Sequence, residues 1–204
     1  MDFHAGKAAH QQEPPAYHSV WRTSILFTLV TAIVFGLAYP LAIAGLAHVF
    51  FPRQADGSLI LHNGQIIGSS LIAQGFTSDR YFLPRPSAAG NGYNAAASGG
   101  SNLAQTNAKL IARIQGDIDK LEKENPGKPV PIDLVTTSGS GLDPDITPDD
   151  AYYQATRVAR ARGIAPATMD ALIKQRIEQR TFGFLGEPRV NVLNLNLALD
   201  RLAE

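Results

Sequence analysis

The residue types able to do chemistry are few in this chain and poorly spaced for it. There is no cysteine, which removes disulfide frameworks, thiolate catalysis and Cys-ligated zinc or iron–sulfur sites. Of the five histidines, His4, His10 and His18 are spread through a Pro/Gln-rich N-terminal stretch, His48 falls in an apolar run and His62 in an expected turn. Such spacing predicts no metal site, and a Ser-His-Asp triad in the polar part of the chain would have to use His62. G-x-S-x-G fails around Ser98, Ser138 and Ser140, so the nucleophile elbow is missing. Gly6-Lys7 and Gly127-Lys128 lack the neighbours of a phosphate-cradling P-loop, and Pro144 breaks the dinucleotide turn that Gly139-Ser140-Gly141 would begin. Asp143, Asp145, Asp149 and Asp150 invite a calcium reading. Counted from Asp143, however, the glycine position of a calcium loop is Pro148 and the closing glutamate position is Gln154. These carboxylates are therefore expected to serve turns and a helix start.

Two Gly–Ser loops remain, Ser98-Gly99-Gly100-Ser101-Asn102 and Ser138-Gly139-Ser140-Gly141. The first is expected to open a helix, where free backbone N–H groups would suit an anion such as phosphate. Tight turning is the commoner use of such sequences. Arg80, Tyr81, Phe82 and Arg85 compose a basic-aromatic patch in a long loop, a composition enriched at protein interfaces.

The elements that must hold these loops can be read from periodicity. Ser58–Leu61 and Gln65–Ile67 flank His62-Asn63-Gly64, which predicts a hairpin because Asn and Gly accept positive φ. Residues 76–100 are rich in Gly, Pro, Ser and Asn without a period. A loop of that length in a compact domain is expected to be functional or ordered by distant contacts. A helix is predicted from about Asn102 to Glu124, with Leu103, Leu110, Ile111, Ile114, Ile118 and Leu121 as its apolar stripe and Arg113–Asp117 as an i,i+4 ion pair. Ile132–Val135 reads as a short strand. Thr147 is placed to cap a helix with Pro148 at its first position, Asp149 and Asp150 at its positive end, and Gly163 as the left-handed stop after Arg162. A further helix follows Pro166, burying Met169, Leu172, Ile173 and Ile177. Val190–Leu197 is predicted as a terminal strand whose apolar parity flips between Val192 and Leu193, as at a bulge or where both faces are covered. The whole reads as an α/β or α+β fold, a sheet domain flanked by helices.

The chain has 204 residues, 18 Lys+Arg against 18 Asp+Glu, and 18% charged residues. Zero net charge argues against a nucleic-acid partner, which would need a surplus of basic residues. A mean hydropathy of −0.06 averages two unlike parts. No Asp, Glu, Lys or Arg occurs from Thr23 to Pro52, and Ile25 to Phe51 is almost continuously apolar, more than the ~20 residues that cross a bilayer. Trp21 and Arg22 at one end and Phe50, Phe51 and Arg53 at the other have the composition of interfacial anchors. The surplus length predicts tilt or a break near Pro40. The expected organisation is a disordered cytoplasmic tail (1–22), a transmembrane helix in contact with lipid (23–51) and a water-exposed extracytoplasmic domain (52–204). Lys7 and Arg22 against Arg53 lean towards an inside N-terminus. A signal peptide cleaved after Ala42-Ile43-Ala44 is the competing reading, and a buried core helix a more distant one.

Six ordered stretches carry a resemblance. They are Gly68-Ser69-Ser70-Leu71-Ile72-Ala73-Gln74; Tyr81-Phe82-Leu83-Pro84-Arg85-Pro86-Ser87-Ala88; Ala97-Ser98-Gly99-Gly100-Ser101-Asn102-Leu103 with Thr106-Asn107; Thr137-Ser138-Gly139-Ser140-Gly141-Leu142-Asp143-Pro144; Arg157-Val158-Ala159-Arg160-Ala161-Arg162-Gly163; and Gly186-Glu187-Pro188-Arg189-Val190-Asn191-Val192-Leu193, running on to Asp200. From the membrane span onward the chain resembles KdpC, the C subunit of the bacterial ATP-driven potassium pump. It departs from the family pattern at Asp145, where His usually follows Asp-Pro, and at Ala95-Ala96, where Pro is common.

The resemblance implies a single-pass, non-catalytic accessory subunit of the bacterial inner membrane. Its partners would be the potassium-translocating subunit and the P-type ATPase subunit, and its role assembly, stabilisation and a catalytic-chaperone action on nucleotide use. No covalently bound cofactor is implied, and ATP would enter through the complex. Carried over onto this sequence, nucleotide contact would fall to Gln74 and the loop Ser98, Gly99, Gly100, Ser101, and partner contact to Arg80, Tyr81, Phe82, Arg85, Asn102 and Asp143. Nucleotide contact requires a cytoplasmic domain, opposite to the orientation expected above. Two other classes compete: a membrane-tethered extracytoplasmic hydrolase using Asp143 or Asp145 with Ser138 or Ser140, and a secreted ligand-binding domain released at Ala44.

Overall fold

A computed structural model describes residues 17–202; the expected tail falls mostly on residues 1–16, which lie outside the described residues. The chain divides into two units, Met1–Asp56 and Gly57–Glu204.

The first unit is helical. Helix α1 (Tyr17–Ile33) runs through a π turn (Val34–Ala38) into α2 (Tyr39–Phe50), and the short α3 (Pro52–Ala55) follows. Val20–Phe50 is long and apolar enough to cross a membrane, with mean hydropathy 2.2, and none of its apolar window is buried in protein. That exposure removes the core-helix alternative. Polar side chains within it bond to their own helix: Thr31 Oγ1 donates to Phe27 O at 2.8 Å and His48 Nδ1 lies 2.9 Å from Ala44 O, as lipid demands. Where the surplus length predicts tilt or a break near Pro40, the helix continues unbroken through a π turn just before it. Pro40 has no N–H, and the Tyr39 N–H reaches back five residues to Val34 O.

The second unit mixes small antiparallel sheets with helices. β1 (Leu59–His62) and β2 (Gln65–Ser69) form the expected hairpin, with Asn63 at φ 51° and Gly64 at φ 78° in its turn. A three-stranded sheet has the order β3 (Asp145–Ile146), β5 (Arg189–Asn191), β4 (Ile177–Glu178), antiparallel throughout. Of the two fold classes read from the sequence, the antiparallel pairing selects α+β. Around this sheet pack α5 (Pro148–Arg162), α6 (Pro166–Arg176) and α7 (Val192–Arg201). Their shared core holds Phe82, Val158, Met169, Ile173, Val190, Leu195 and Leu199, all fully buried, each large side chain contributing about 1.5–3 kcal/mol. A smaller core joins α4 (Ala108–Glu124) through Leu121 to Leu134, Val135 and Tyr153.

Helix α5 has the bounds and caps its sequence implies: Thr147 Oγ1 accepts from the Asp150 N–H and Gly163 closes the helix at φ 67°. Four elements differ from expectation. The helix after Pro166 ends at Arg176, so Ile177 opens strand β4 instead of closing the helix's buried face. Helix α4 starts at Ala108, capped by Asn107, whose side chain accepts from the Lys109 N–H. Asn102 sits at φ 51° outside it, which leaves Leu103 in the loop and Ile111 exposed. Ile132–Leu134 is a 3₁₀ turn, with the Leu134 N–H on Pro131 O and the Val135 N–H on Ile132 O. Finally, the strand expected over 190–197 ends at Asn191, whose side chain accepts from the Asn194 N–H and starts α7. The parity flip at Val192–Leu193 is this change of period from two to 3.6.

Candidate functional site

Residues 70–107 contain no helix or strand, so their backbone polar groups need partners from elsewhere. Side-chain amides supply them. Gln154 of α5 accepts from the Leu83 N–H (2.8 Å) and donates to Leu83 O (2.9 Å). Asn196 of α7 does the same for Phe82, at 2.8 and 3.0 Å. Asn191 donates to Ser70 O at 2.9 Å. Two amides thus hold residues 82 and 83 as a neighbouring strand would, and fix the Phe82 ring in the core. Guanidinium groups of α5 continue the anchoring: Arg157 donates to Asp79 O and Tyr81 O, and Arg162 to Arg80 O and the Asp200 carboxylate. The Arg162 guanidinium also lies 4.7 Å from the Tyr81 ring centre, and the Tyr81 hydroxyl donates to Asp200.

The two Gly–Ser loops meet. The Gly99 N–H and the Ser98 hydroxyl both donate to Ser140 O, at 2.8 and 3.0 Å. Gly141 is required at the contact. It has φ +66°, and a Cβ there would lie 2.5 Å from Gly99 O and 2.8 Å from Ala89 N. The Ser87 hydroxyl donates to Gly141 O and accepts from the Ala89 and Tyr93 N–H groups, tying in a third segment. The Tyr93 hydroxyl donates to Arg85 O at 2.9 Å, and burial pushes its pKa up.

Beside this clasp runs a shallow groove of about 380 Å³ lined by Arg85, Asp133, Asp143, Asp145, Glu187 and Arg189. Arg85 stands 3.6 Å from both Asp133 and Asp143 and donates to Thr136 Oγ1 at 3.1 Å. Asp133 accepts from the Thr147 N–H. Asp145 pairs with Arg189 at 3.1 Å and accepts from Asn191. Desolvation still raises its pKa, outweighing those two partners. Behind the groove Asp150 is wholly buried; its Oδ1 accepts from Gln154 at 2.7 Å and its Oδ2 has no partner. Burial, reinforced by the Asp133 carboxylate, pushes its pKa up to about 7 against the opposing pull of Gln154, Arg85 and Arg157.

Several sequence-predicted site residues change meaning here. Phe82 is 0% exposed, so Arg80, Tyr81, Phe82 and Arg85 do not make one surface patch: Phe82 is an anchor, Arg85 a buried-side ion-pair node, Tyr81 a partner of Arg162, and Arg80 remains exposed. Ser98–Ser101 lies well before the start of α4, so the helix-end argument for an anion there falls. Gln74 spends its amide on Ile67 O at 2.9 Å, bracing the hairpin. Asn102 is exposed, and Asp143 accepts from the Asp145 N–H besides facing Arg85. Ser98–Ser101, Arg85 and Asp143 therefore share one cluster through the loop 138–143, with Gln74 one residue from the Ala73 N–H that donates to Leu142 O. Asp150 belongs to the core instead of the helix surface. Ser140 Oγ accepts from the Leu142 N–H and lies 3.4 Å from Ser138 Oγ. His62 stands exposed at the end of β1. Among the described residues no group of three or more His, Cys, Asp or Glu side chains is arranged to hold a metal ion. No local signal marks Gln154, Asn191 and Asn196 as the loop's anchors: Asn194 lies among the same leucines as Asn196 and is only half-buried.

A protein-family profile described as KdpC, the K+-transporting ATPase c chain, matches residues 21–201. Among similar proteins, the potassium-transporting ATPase KdpC subunit of Koribacter versatilis is 54% identical over 178 residues, 87% of this chain and 92% of that one. The subunit of that name from Acidobacterium capsulatum is 56% identical over 182 residues, covering 89% and 97%. That from Methylorubrum populi is 56% identical over 191 residues, covering 88% and 94%.

Proposed function

From the premise that this chain belongs to the KdpC family of K+-transporting ATPase c chains, we propose that it is the non-catalytic accessory subunit of a bacterial ATP-driven potassium uptake pump. The observation that carries this reading is the reach of the family match over both the apolar helix and the whole loop framework. In this reading the helix crosses the inner membrane with its N-terminus in the cytoplasm. The second unit then lies outside, as a cap on the potassium-translocating subunit. ATP binding and phosphorylation take place in the separate P-type ATPase subunit. The accessory chain stabilises the assembly and raises nucleotide use by that subunit through its membrane helix. The commitment of the Gln74 amide and the Gly99 N–H to internal partners supports indirect coupling over nucleotide contact at Gln74 and Ser98–Ser101.

Purification in mild detergent through a C-terminal tag tests the reading. Two larger pump subunits are expected to accompany the chain, and its deletion to abolish growth at low potassium. A stable solitary chain whose loss leaves uptake intact would refute the assignment. Reporter fusions at the C-terminus test orientation: cytoplasmic activity would overturn the cap and return the Ser98–Ser101 loop to nucleotide.

A further inference from the structure

Asp150 occupies the third position of α5, where a capping box returns the carboxylate to the N–H of the capping residue. Half of that box is present: the Asp150 N–H donates to Thr147 Oγ1 at 3.3 Å. The other half is diverted, because the Thr147 N–H donates to Asp133 Oδ2 at 3.1 Å. Asp150 Oδ2 is left as the one buried side-chain oxygen or nitrogen without a partner among the described residues. Its other oxygen accepts from Gln154 Nε2 at 2.7 Å, and the same Nε2 donates to Leu83 O at 2.9 Å. The carboxyl therefore stands one hydrogen bond from the amide that fastens Leu83 to α5.

A neutral carboxyl tolerates such a place, whereas a charged one with an unpartnered oxygen in the core does not. Two guanidinium groups face it. Arg157, two turns along α5, donates to Asp79 O, Tyr81 O and Gln154 Oε1. Arg85, on the loop, pairs with Asp133 and Asp143 and donates to Thr136 Oγ1. Neither forms an ion pair with Asp150 in the closed arrangement, and the Asp133 carboxylate on the 3₁₀ turn opposes its ionisation. Bringing either cation to Asp150 undoes contacts that fix residues 79–85.

We propose that Asp150 is a proton-held latch: protonated, it leaves α5 fastened to residues 79–83, and ionised, it draws Gln154 and Arg157 away from them and opens that stretch while the core of α5, α6 and α7 stays folded. The closed form binds this proton more tightly than an open, solvated form does, since burial holds the carboxyl at about 7. The latch is accordingly tight below that pH and loosens as pH rises through it. It is a property of the second unit alone and stands apart from the pump assignment.

Hydrogen exchange of the full chain in detergent, read at single residues by mass spectrometry with electron-transfer fragmentation, tests the latch at the Leu83 N–H, which donates to Gln154 Oε1 at 2.8 Å. Asp150→Asn supplies the reference that cancels the ordinary pH dependence of exchange. From pH 6 to pH 8.5 the Leu83 rate is expected to rise at least tenfold relative to that variant. The rise should be indifferent to 0–1 M urea, as a local opening is. Asp133→Asn keeps an oxygen for the Thr147 N–H but removes the opposing charge, and should move the midpoint of the rise to lower pH. Equal Leu83 rates in the native chain and Asp150→Asn at every pH would overturn the latch. So would Leu83 exchange that climbs with urea in step with the buried Ile173 of α6, because the opening would then be global. A midpoint unmoved by Asp133→Asn would assign the titration to another group and overturn it as well.

Discussion

Replacing Asp150 with Asn isolates one buried carboxyl whose cost changes with pH. Its pKa stands at about 7 in the folded chain against 3.8 ordinarily, chiefly through burial. The folded state therefore binds this proton more tightly than the unfolded state does. Between pH 4 and 7 the native form holds the extra proton, so stability is greatest below about 4 and falls as pH rises through about 7. At 1.36 kcal/mol per pH unit, this one group removes about 3 kcal/mol between pH 5 and pH 8. Asn keeps an oxygen for the Gln154 amide, which donates to Asp150 Oδ1 at 2.7 Å, and has no proton to lose. Urea unfolding of the full chain in detergent, followed by far-UV circular dichroism at pH 5, 6.5 and 8, compares the two forms. The native protein should lose about 3 kcal/mol across that range relative to Asp150→Asn, with most of the difference gone by pH 5. Parallel pH profiles for the two would refute the reasoning, because the carboxyl would then be ionised throughout, through compensation by Arg85 and Arg157.

Four further substitutions test the anchoring of the loops. Asn196→Ala strands the Phe82 N–H and C=O in the core and should cost about 2–4 kcal/mol in urea unfolding; Phe82→Ala should cost about 3–5 kcal/mol by the same measurement. Gly141→Ala drives a Cβ against Gly99 O and Ala89 N at positive φ and should cost about 2 kcal/mol or more. Hydrogen exchange should accelerate at Gly99, whose N–H bonds to Ser140 O, and remain slow in α6. Arg85→Gln leaves Asp133 without its cation. It should destabilise the chain by about 2 kcal/mol, as thermal unfolding at pH 7 would register.

Local signals and distant ones were not equally legible. Thr147-Pro148 and Gly163 fix α5, and Asn63-Gly64 fixes the hairpin, because caps and turns are written in residues a few positions apart. The apolar run likewise announces its long helix, though not the π turn that stands where a break near Pro40 was one of two expectations. The sequence offers two equally good caps for α4, Asn102 and Asn107, and the clasp of Ser98 and Gly99 on Ser140, followed by the turn that the Asn107 N–H closes on Ala104 O, carries the chain past the first. Val190–Leu197 misled because a strand entering a helix through Asn191 briefly satisfies both periods. The Arg80–Arg85 patch failed for another reason. Burial of Phe82 depends on amides more than seventy residues away in sequence, which no local window contains.

The same amides bear on what the loop framework is for. Ordering a backbone costs about 1–2 kcal/mol per residue, and residues 70–107 have no ladder of their own to offset it. Helices α5 and α7 instead present Gln154 and Asn196 to the loop as strand edges, and the second Gly–Ser loop presents Ser140 O. Atoms that an enzyme would direct at a substrate are here directed at neighbouring backbone. Such a surface is ordered before any partner arrives, so association need not bear the loop's ordering entropy. That is the property a docking subunit requires, and it accounts for why Gly–Ser loops with the look of phosphate cradles fold into a clasp. It also gives the Gly141 and Asn196 variants a second readout: each should weaken retention of the pump subunits more than Asp150→Asn does at pH 7, since they loosen the framework and the Asn variant leaves it closed.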